Sequence, residues 1–185
     1  TEPIALAYAA AVARKTLGEM PDKVVVEASG SIIKNVKSVI VPNTGHLKGI
    51  NAAAAAGIVA GDPDKKLEVI ATVSQEQIRQ MKQFMEEVPI QVVHMEDGCT
   101  FDIIVTVFSG KSYAKVRIAN FHTNIVLIEK NGEVLKSEAV SDDSEEGLTD
   151  RTLLDMEHIW DFAMTADIDD VKALLDQQVA FNVAI

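Results

Sequence analysis

Residues 101–119 read FDIIVTVFSGKSYAKVRIA, two apolar runs on either side of Ser109-Gly110. Runs rich in β-branched and aromatic residues are typical of strands, and a short Ser-Gly connection is typical of a hairpin. Further strands are predicted at 90–95 and 125–129, and turn-forming dipeptides lie at 97–98, 109–110 and 131–132. The stretch therefore predicts an antiparallel meander.

Helices are predicted around this meander. Ser74 and Gln77 have the spacing of a capping box, so a covering helix should follow until Pro89 ends it. Alanine-rich helices are expected at 4–17, where Thr1-Glu2-Pro3 is a helix start, and at 50–60. Two more helices are expected at the C-terminus, at 153–164 and 167–180. Short strands are expected at 23–28, 36–41 and 67–71.

Together these elements predict an α+β fold in three parts. Residues 1–66 would hold alanine-rich helices with a short-stranded sheet, as a segment of a catalytic domain. Residues 67–140 would form a small unit with a mixed or antiparallel sheet and its covering helix. Residues 141–185 would hold an acidic linker, at Ser141–Glu146, and the C-terminal helices.

Composition excludes several classes of protein. Of the 185 residues, 48% are hydrophobic and 24% are charged, as in a protein with an ordinary core. The net charge of −11 argues against nucleic acid and against an anionic membrane surface as partners. Cys99 is the single cysteine, so we expect no internal disulfide, no metal ligands from this chain, and a reducing cytoplasm as the location.

Four polar segments are candidate binding sites. Thr1-Glu2-Pro3 is either a helix cap or a helix N-terminus that holds a ligand carboxylate or a cluster. Ser29–Asn35 is either a turn between strands or the wall of a cleft that binds an anion through Lys34 and Asn35. The loop at Thr44 and Gly45 runs into a helix and could form a carboxylate nest. Residues 120–124 are either a polar turn or the rim of a site at a strand end.

Five runs, in order, resemble one family. They are TEPIALA at 1–7, SGSIIKNV at 29–36, PNTG at 42–45, GD at 61–62 with LEV at 67–69, and HTNIV at 122–126. Together they closely resemble the iron–sulfur L-serine dehydratase α-chain-like proteins. The nearest branch is the L-cysteine desulfidase group of the UPF0597 type, and the resemblance covers essentially the whole chain.

The resemblance implies a lyase that works without pyridoxal phosphate. The full-length protein would hold a [4Fe–4S] cluster on three cysteines, and the open iron would assist departure of a β-thiol or β-hydroxyl group. In that family one ligand cysteine directly precedes the Thr-Glu-Pro motif, and the others lie in the second half of the sequence. Cys99 matches none of them. We therefore expect an N-terminal half that is inactive alone, without a cluster of its own.

The resemblance also implies roles for individual residues. The substrate carboxylate is assigned to Asn35 and to the loop at Thr44 and Gly45, and Ser29 lines the same cleft. His122 is the candidate catalytic base, with Lys34 as a second candidate. Thr123 and Asn124 would orient the substrate beside His122.

These assignments leave partners and one alternative open. The expected partners are a small amino acid, the missing C-terminal half of the same protein, and a second copy of the chain. L-Cysteine and L-serine are equally compatible as substrates. The alternative is a non-catalytic α+β module that binds a small molecule or regulates another protein, because residues 67–136 have that pattern by themselves.

Overall fold

A six-stranded sheet forms the centre of the computed structural model, which describes residues 1–140, 152 and 154–183. The first strand pairs in parallel with the second and antiparallel with the third. The remaining strands follow as an antiparallel meander, so the spatial order is second, first, third, fourth, fifth, sixth. The strands are β1 (Lys23–Ser29), β2 (Ile90–Met95), β3 (Asp102–Ser109), β4 (Ser112–Ala119), β5 (Ile125–Lys130) and β6 (Glu133–Ser137).

Within residues 1–140 the helices cover one face of the sheet. Val24 and Val26 of β1 are fully buried beneath them, and Val105 of β3 and Val116 of β4 are buried in the same core. The alternate positions of these strands lie outside that core, as expected for a sheet with one packed face. The helices are α1 (Glu2–Leu17), α2 (Gly30–Val36), α3 (Gly49–Ala60) and α4 (Gln75–Glu87), with a 3-10 helix at Pro63–Glu68.

The two alanine-rich helices, α1 and α3, pack directly against each other. Small side chains bring the two backbones close together, and Gly57 of α3 lies at the closest approach. A Cβ atom at Gly57 would lie 2.0 Å from the carbonyl oxygen of Ala7 and 2.9 Å from the Cβ of Ala10. The alanine content therefore serves tight packing, and this packing fixes α1 on the sheet.

Most of the predicted elements are confirmed, and the α+β class with them. α1 ends at Gly18 in the left-handed conformation, with φ 93°, as a C-terminal glycine predicts. The capping box of α4 is present, with both hydrogen bonds between Ser74 and Gln77 formed. Thr1 occupies the N-cap position of α1, but its side chain makes no capping hydrogen bond.

Three of the local predictions are wrong, and β6 was missed. The segment Ser29–Asn35 is not a turn, because α2 begins at Gly30 directly after β1. The strand predicted at 36–41 is not formed: Val36 belongs to α2, and Ile40 makes only an isolated bridge to Lys48. The strand predicted at 67–71 is a 3-10 helix followed by a turn.

The second compact unit covers residues 145–185. Its described helices are α5 (Met156–Thr165) and α6 (Ile168–Val183), which confirms two C-terminal helices close to the predicted bounds. The side chain of Asp155 caps α5 by accepting a hydrogen bond from the backbone N–H of His158 at 2.8 Å. The predicted acidic linker at Ser141–Glu146 lies outside the described residues.

Candidate functional site

Several predicted site residues lie towards one end of the sheet, where β1 and β4 end and β3 begins. Ser29 is the last residue of β1, and Asp102, the first residue of β3, pairs with Ala119 of β4. The N-terminus of α1 lies at this end, because its C-terminus is held at the other: Lys130 Nζ donates to the carbonyl of Leu17 at 2.9 Å. We call this edge of the molecule the site end.

Glu2 and Asn35 approach each other at the site end. Asn35 Nδ2 donates to Glu2 Oε1 across 3.4 Å, which joins the first turn of α1 to α2. The pKa of Glu2 is lowered, first by the hydrogen bond from its own backbone N–H and further by the Asn35 amide. Glu2 is therefore an ionised carboxylate at neutral pH, and Asn35 is an exposed amide beside it.

Ser29 and Lys34 flank this pair in different ways. Ser29 is 6% exposed, and its hydroxyl donates to the carbonyl of Thr100 at 2.8 Å, so the hydroxyl proton ties β1 to the β2–β3 connection. Lys34 lies exposed on α2, and it forms no ion pair with any residue that the structure describes. Ser29 is thus held in place structurally, whereas Lys34 is available to solvent.

His122 lies in the turn that follows β4. Its ring packs on Phe101, with 4.5 Å between the ring centroids and an interplanar angle of 53°. Its Nε2 atom is buried and makes no hydrogen bond within the described residues. A buried polar atom without a partner costs about 1–3 kcal/mol, so it calls for an explanation such as a catalytic role or a bound water molecule or ion.

The two residues after His122 differ from it, and from each other, in exposure and in hydrogen bonding. Thr123 is exposed. Asn124 is half-buried, and its Nδ2 donates to the carbonyl of Ala119 at 3.0 Å, which closes the turn. Asn124 therefore stabilises a polar turn, whereas the Nε2 of His122 has no hydrogen bond among the described residues.

The loop at Thr44 and Gly45 is built as a separate structure. Thr44 is fully buried, and its hydroxyl donates to the carbonyl of Val41 at 2.7 Å. Gly45 has φ 67°, and a Cβ atom there would lie 3.1 Å from Cγ2 of Ile78 in α4. None of the hydrogen bonds among the described residues joins this loop to Asn35, so the two parts of the predicted carboxylate site are not linked by a direct contact.

A buried ion pair at the site end was missed by sequence reasoning. Asp102 is fully buried and receives Arg117 Nε at 2.9 Å and Nη2 at 2.6 Å, a two-point contact across the β3–β4 pair. The hydrogen bonds to Asp102 raise the pKa of Arg117. The backbone N–H of Cys99 also donates to Asp102, at 3.2 Å. Asp102 and Arg117 are fifteen residues apart in the sequence. They meet only because of the pairing register of the hairpin, and the sequence does not determine that register.

The residues present do not fit an iron–sulfur cluster. Among residues 1–140, 152 and 154–183, no group of three or more His, Cys, Asp and Glu side chains is placed to hold a metal ion. Cys99 is the one cysteine in the sequence, and three thiolates are needed for a cluster with an open iron.

No helix in the described part of the chain has the length and apolar character required to cross a bilayer.

Comparison with known proteins places the chain in a family. No family model matches the sequence, and no solved structure matches it. Over its whole length it is 54% identical to a UPF0597 protein of Desulfitobacterium hafniense, 42% to one of Lachnoclostridium phytofermentans and 40% to one of Treponema denticola. It covers 43%, 44% and 43% of these proteins, respectively. The chain belongs to the UPF0597 family and spans somewhat less than half the length of these relatives.

Proposed function

We propose that this chain is the substrate-binding part of a lyase that removes the β-substituent of a small amino acid without pyridoxal phosphate. L-Cysteine would give pyruvate, ammonia and sulfide, and L-serine would give pyruvate and ammonia. One observation carries the proposal: at the site end, the buried Nε2 of His122 makes no hydrogen bond with another described residue. The contact between Asn35 and Glu2 lies at the N-terminus of α1. The resemblance to iron–sulfur dehydratases supports the same chemistry.

The polar groups at the site end suit a small zwitterion, because Glu2 is a carboxylate with a lowered pKa and Asn35 is an exposed amide beside it. In this arrangement the Glu2 carboxylate binds the substrate ammonium, and the Asn35 amide donates to the substrate carboxylate. The exposed Thr123 hydroxyl orients the substrate from the β4 side.

His122 is the base in this proposal. Its Nε2 takes the α-proton, and the electron pair of the broken C–H bond forms the Cα–Cβ double bond as the leaving group departs with its own pair. The aminoacrylate product then tautomerises to an imine, which water hydrolyses to pyruvate and ammonia. Histidine suits this step because it is the side chain that proteins use most often for proton transfer in catalysis. Lys34 is the second candidate, and its exposure removes the burial that activates a lysine.

The cofactor of the full-length protein is a separate part of the proposal. A [4Fe–4S] cluster, if it serves this family, has to take its ligands from outside these 185 residues, because Cys99 is alone. The remainder of the protein would then be the second partner of this chain. The roles proposed for His122, Glu2 and Asn35 do not depend on which group assists the departure of the β-substituent.

The test is a His122→Ala substitution in the full-length protein. We expect turnover of L-cysteine and L-serine to fall by about 10²–10⁴-fold, the usual contribution of a general base. Cofactor absorbance and thermal stability should remain. His158→Ala, which removes an exposed histidine of the second unit, is the matched control and should leave turnover unchanged. Normal turnover in the His122→Ala protein would exclude His122 as the base.

A further inference from the structure

The imidazole of His122 packs on the ring of Phe101, and this contact joins the turn after β4 to the hydrophobic core. The two ring centroids are 4.5 Å apart and the ring planes are tilted by 53°, at the short end of the distance range for aromatic pairs. Phe101 itself is half-buried and packs against the main core cluster. The imidazole therefore lies against a residue that the core holds in place.

No hydrogen bond within the described residues fixes the orientation of this imidazole. A histidine ring turns easily about its χ2 bond, and in a catalytic histidine a hydrogen bond to the second ring nitrogen usually holds the ring. Among the described residues, a histidine ring forms a hydrogen bond only at His158. The Nε2 atom of His122 is buried without one. The ring contact with Phe101 is thus the interaction that orients His122.

The backbone at Phe101 is held by hydrogen bonds from two directions. The carbonyl of Phe101 accepts the backbone N–H of Asn120 at 2.9 Å, which ties Phe101 directly to the turn that carries His122. The preceding carbonyl, that of Thr100, accepts the hydroxyl of Ser29 at 2.8 Å. Phe101 is therefore fixed relative to the end of β1 as well as to the end of β4.

The backbone around His122 is closed by short-range hydrogen bonds. Asn120 has φ 67°, in the left-handed region that asparagine tolerates, and it turns the chain after β4. The backbone N–H of Phe121 donates to the carbonyl of Ala119 at 2.8 Å, and that of Asn124 donates to the carbonyl of Phe121 at 3.1 Å. The side-chain torsions are therefore the freedom that remains to the His122 ring.

We propose that Phe101 is a positioning residue for His122: its ring holds the imidazole in the orientation in which Nε2 meets the α-proton of the substrate. This inference rests on the proposed function, because it takes His122 as the base. Proton transfer depends on the geometry of the reacting atoms, and a displacement of about 1 Å costs about 10²-fold in rate. Loss of the Phe101 ring should therefore slow the chemical step without weakening substrate binding.

Phe101→Leu in the full-length protein tests the proposal, with kcat and KM for L-cysteine and L-serine as the readout. Leucine keeps an apolar side chain against the core but has no flat ring face. We expect kcat to fall by roughly 10²-fold, with KM close to that of the unmodified protein. Phe101→Tyr retains the ring and should retain kcat. If Phe101→Leu does not fold, Phe101→Met removes the ring in the same way.

Phe108→Leu is the matched control. Phe108 is a half-buried phenylalanine at the other end of β3, and its ring contacts Tyr113 and Lys23 instead of a histidine. The control should leave kcat unchanged. A loss of kcat as large as that in Phe101→Leu would overturn the proposal, because loss of any ring would then have the same effect.

Histidine-selective NMR spectra of the same full-length variants report the ring contact without turnover. The ring current of Phe101 displaces the signals of the carbon-bound ring protons of His122, which are assigned by their absence in His122→Ala. We expect these signals to move in Phe101→Leu and to keep their position in Phe108→Leu. Unmoved signals in Phe101→Leu would overturn the proposal even if kcat fell, because the loss would not act through the imidazole.

The positioning role and the proposed function fail in different ways. Normal turnover in Phe101→Leu, together with an inactive His122→Ala, would overturn the positioning role and leave the proposed function standing. Normal turnover in both variants would overturn the proposed function, and the positioning role with it.

Discussion

Replacing Gly57 by alanine tests whether the close packing of α1 and α3 sets the geometry of the site end. In an exposed helix this substitution stabilises the protein by about 1 kcal/mol, because alanine is the better helix former. In this protein we expect the opposite sign. The new Cβ would lie 2.0 Å from the carbonyl oxygen of Ala7 and 2.9 Å from the Cβ of Ala10.

The distances give the size of the effect. Non-bonded heavy atoms pack at about 3.5 Å, so the helices must separate by roughly 1–1.5 Å to admit the new methyl group. Overpacking of a well-packed core costs about 1–3 kcal/mol, and the upper value applies because the nearest atoms belong to backbone. After the gain in helix propensity, we expect a net loss of about 2 kcal/mol. In a protein of this size, that loss lowers Tm by roughly 4–8 °C.

Thermal unfolding followed by circular dichroism measures this loss. Asn51→Ala is the matched control, because Asn51 is an exposed position of the same helix and gains helix propensity without a clash. The control should equal or exceed the unmodified protein in Tm. If Gly57→Ala also raised Tm, the inference that α1 is held by backbone contact with α3 would be wrong.

Two further perturbations act at the site end. Asp102→Asn should destabilise the protein by about 2 kcal/mol in urea denaturation, because it removes the fully buried charged partner of Arg117; the 27% exposure of Arg117 keeps the cost below that of a fully buried pair. Glu76→Gln, at an exposed ion pair, should cost under about 0.5 kcal/mol. Equal losses in the two variants would contradict the role of burial. The pKa of Glu2 is lowered from its ordinary 4.5, chiefly by its backbone N–H, so its ionisation stabilises the fold above about pH 4.5 and this contribution is lost as pH falls through the lowered pKa. Glu2→Gln should flatten that acid limb in unfolding measured from pH 6 to 3, and an unchanged limb would contradict the assignment.

Sequence patterns predict the elements whose signals are local. The hairpin at residues 101–119 follows from its β-branched runs and its Ser-Gly turn, and the capping box of α4 follows from two residues three apart. Gly18 marks the end of α1 in the same way, because glycine readily adopts the left-handed conformation that follows the last helical residue. In each case the short-range chemistry and the tertiary structure favour the same conformation.

The errors arise where tertiary packing opposes the local pattern. Val36 favours a strand by propensity, but Ile32 and Val36 lie one helical turn apart and both enter the core from α2. Val69 and Ile70 are both buried, which two neighbours in a strand with one packed face would not be. β6 was missed because its Val134 is 54% exposed at the sheet edge and gives no burial pattern.

The candidate site was only partly accessible from sequence. Asn35 and His122 were selected as polar residues in strand-end and turn positions, and the structure places both at the site end. Glu2 was interpreted as part of a helix start or of a helix N-terminus that binds a ligand, and its contact with Asn35 depends on how α1 crosses the sheet. The hydroxyls of Ser29 and Thr44 are committed to backbone carbonyls, and the residue type alone cannot reveal such a hydrogen bond.

Sulfide release from L-cysteine by the full-length protein, after anaerobic reconstitution with iron and sulfide, tests the central claim most directly. We expect the full-length protein to release sulfide and pyruvate in equal amounts, and the His122→Ala variant to release neither. Pyruvate from L-serine without sulfide from L-cysteine would keep the elimination chemistry and change the substrate. Neither product, together with no cofactor absorbance, would contradict the lyase and favour a module that binds a small molecule without catalysis.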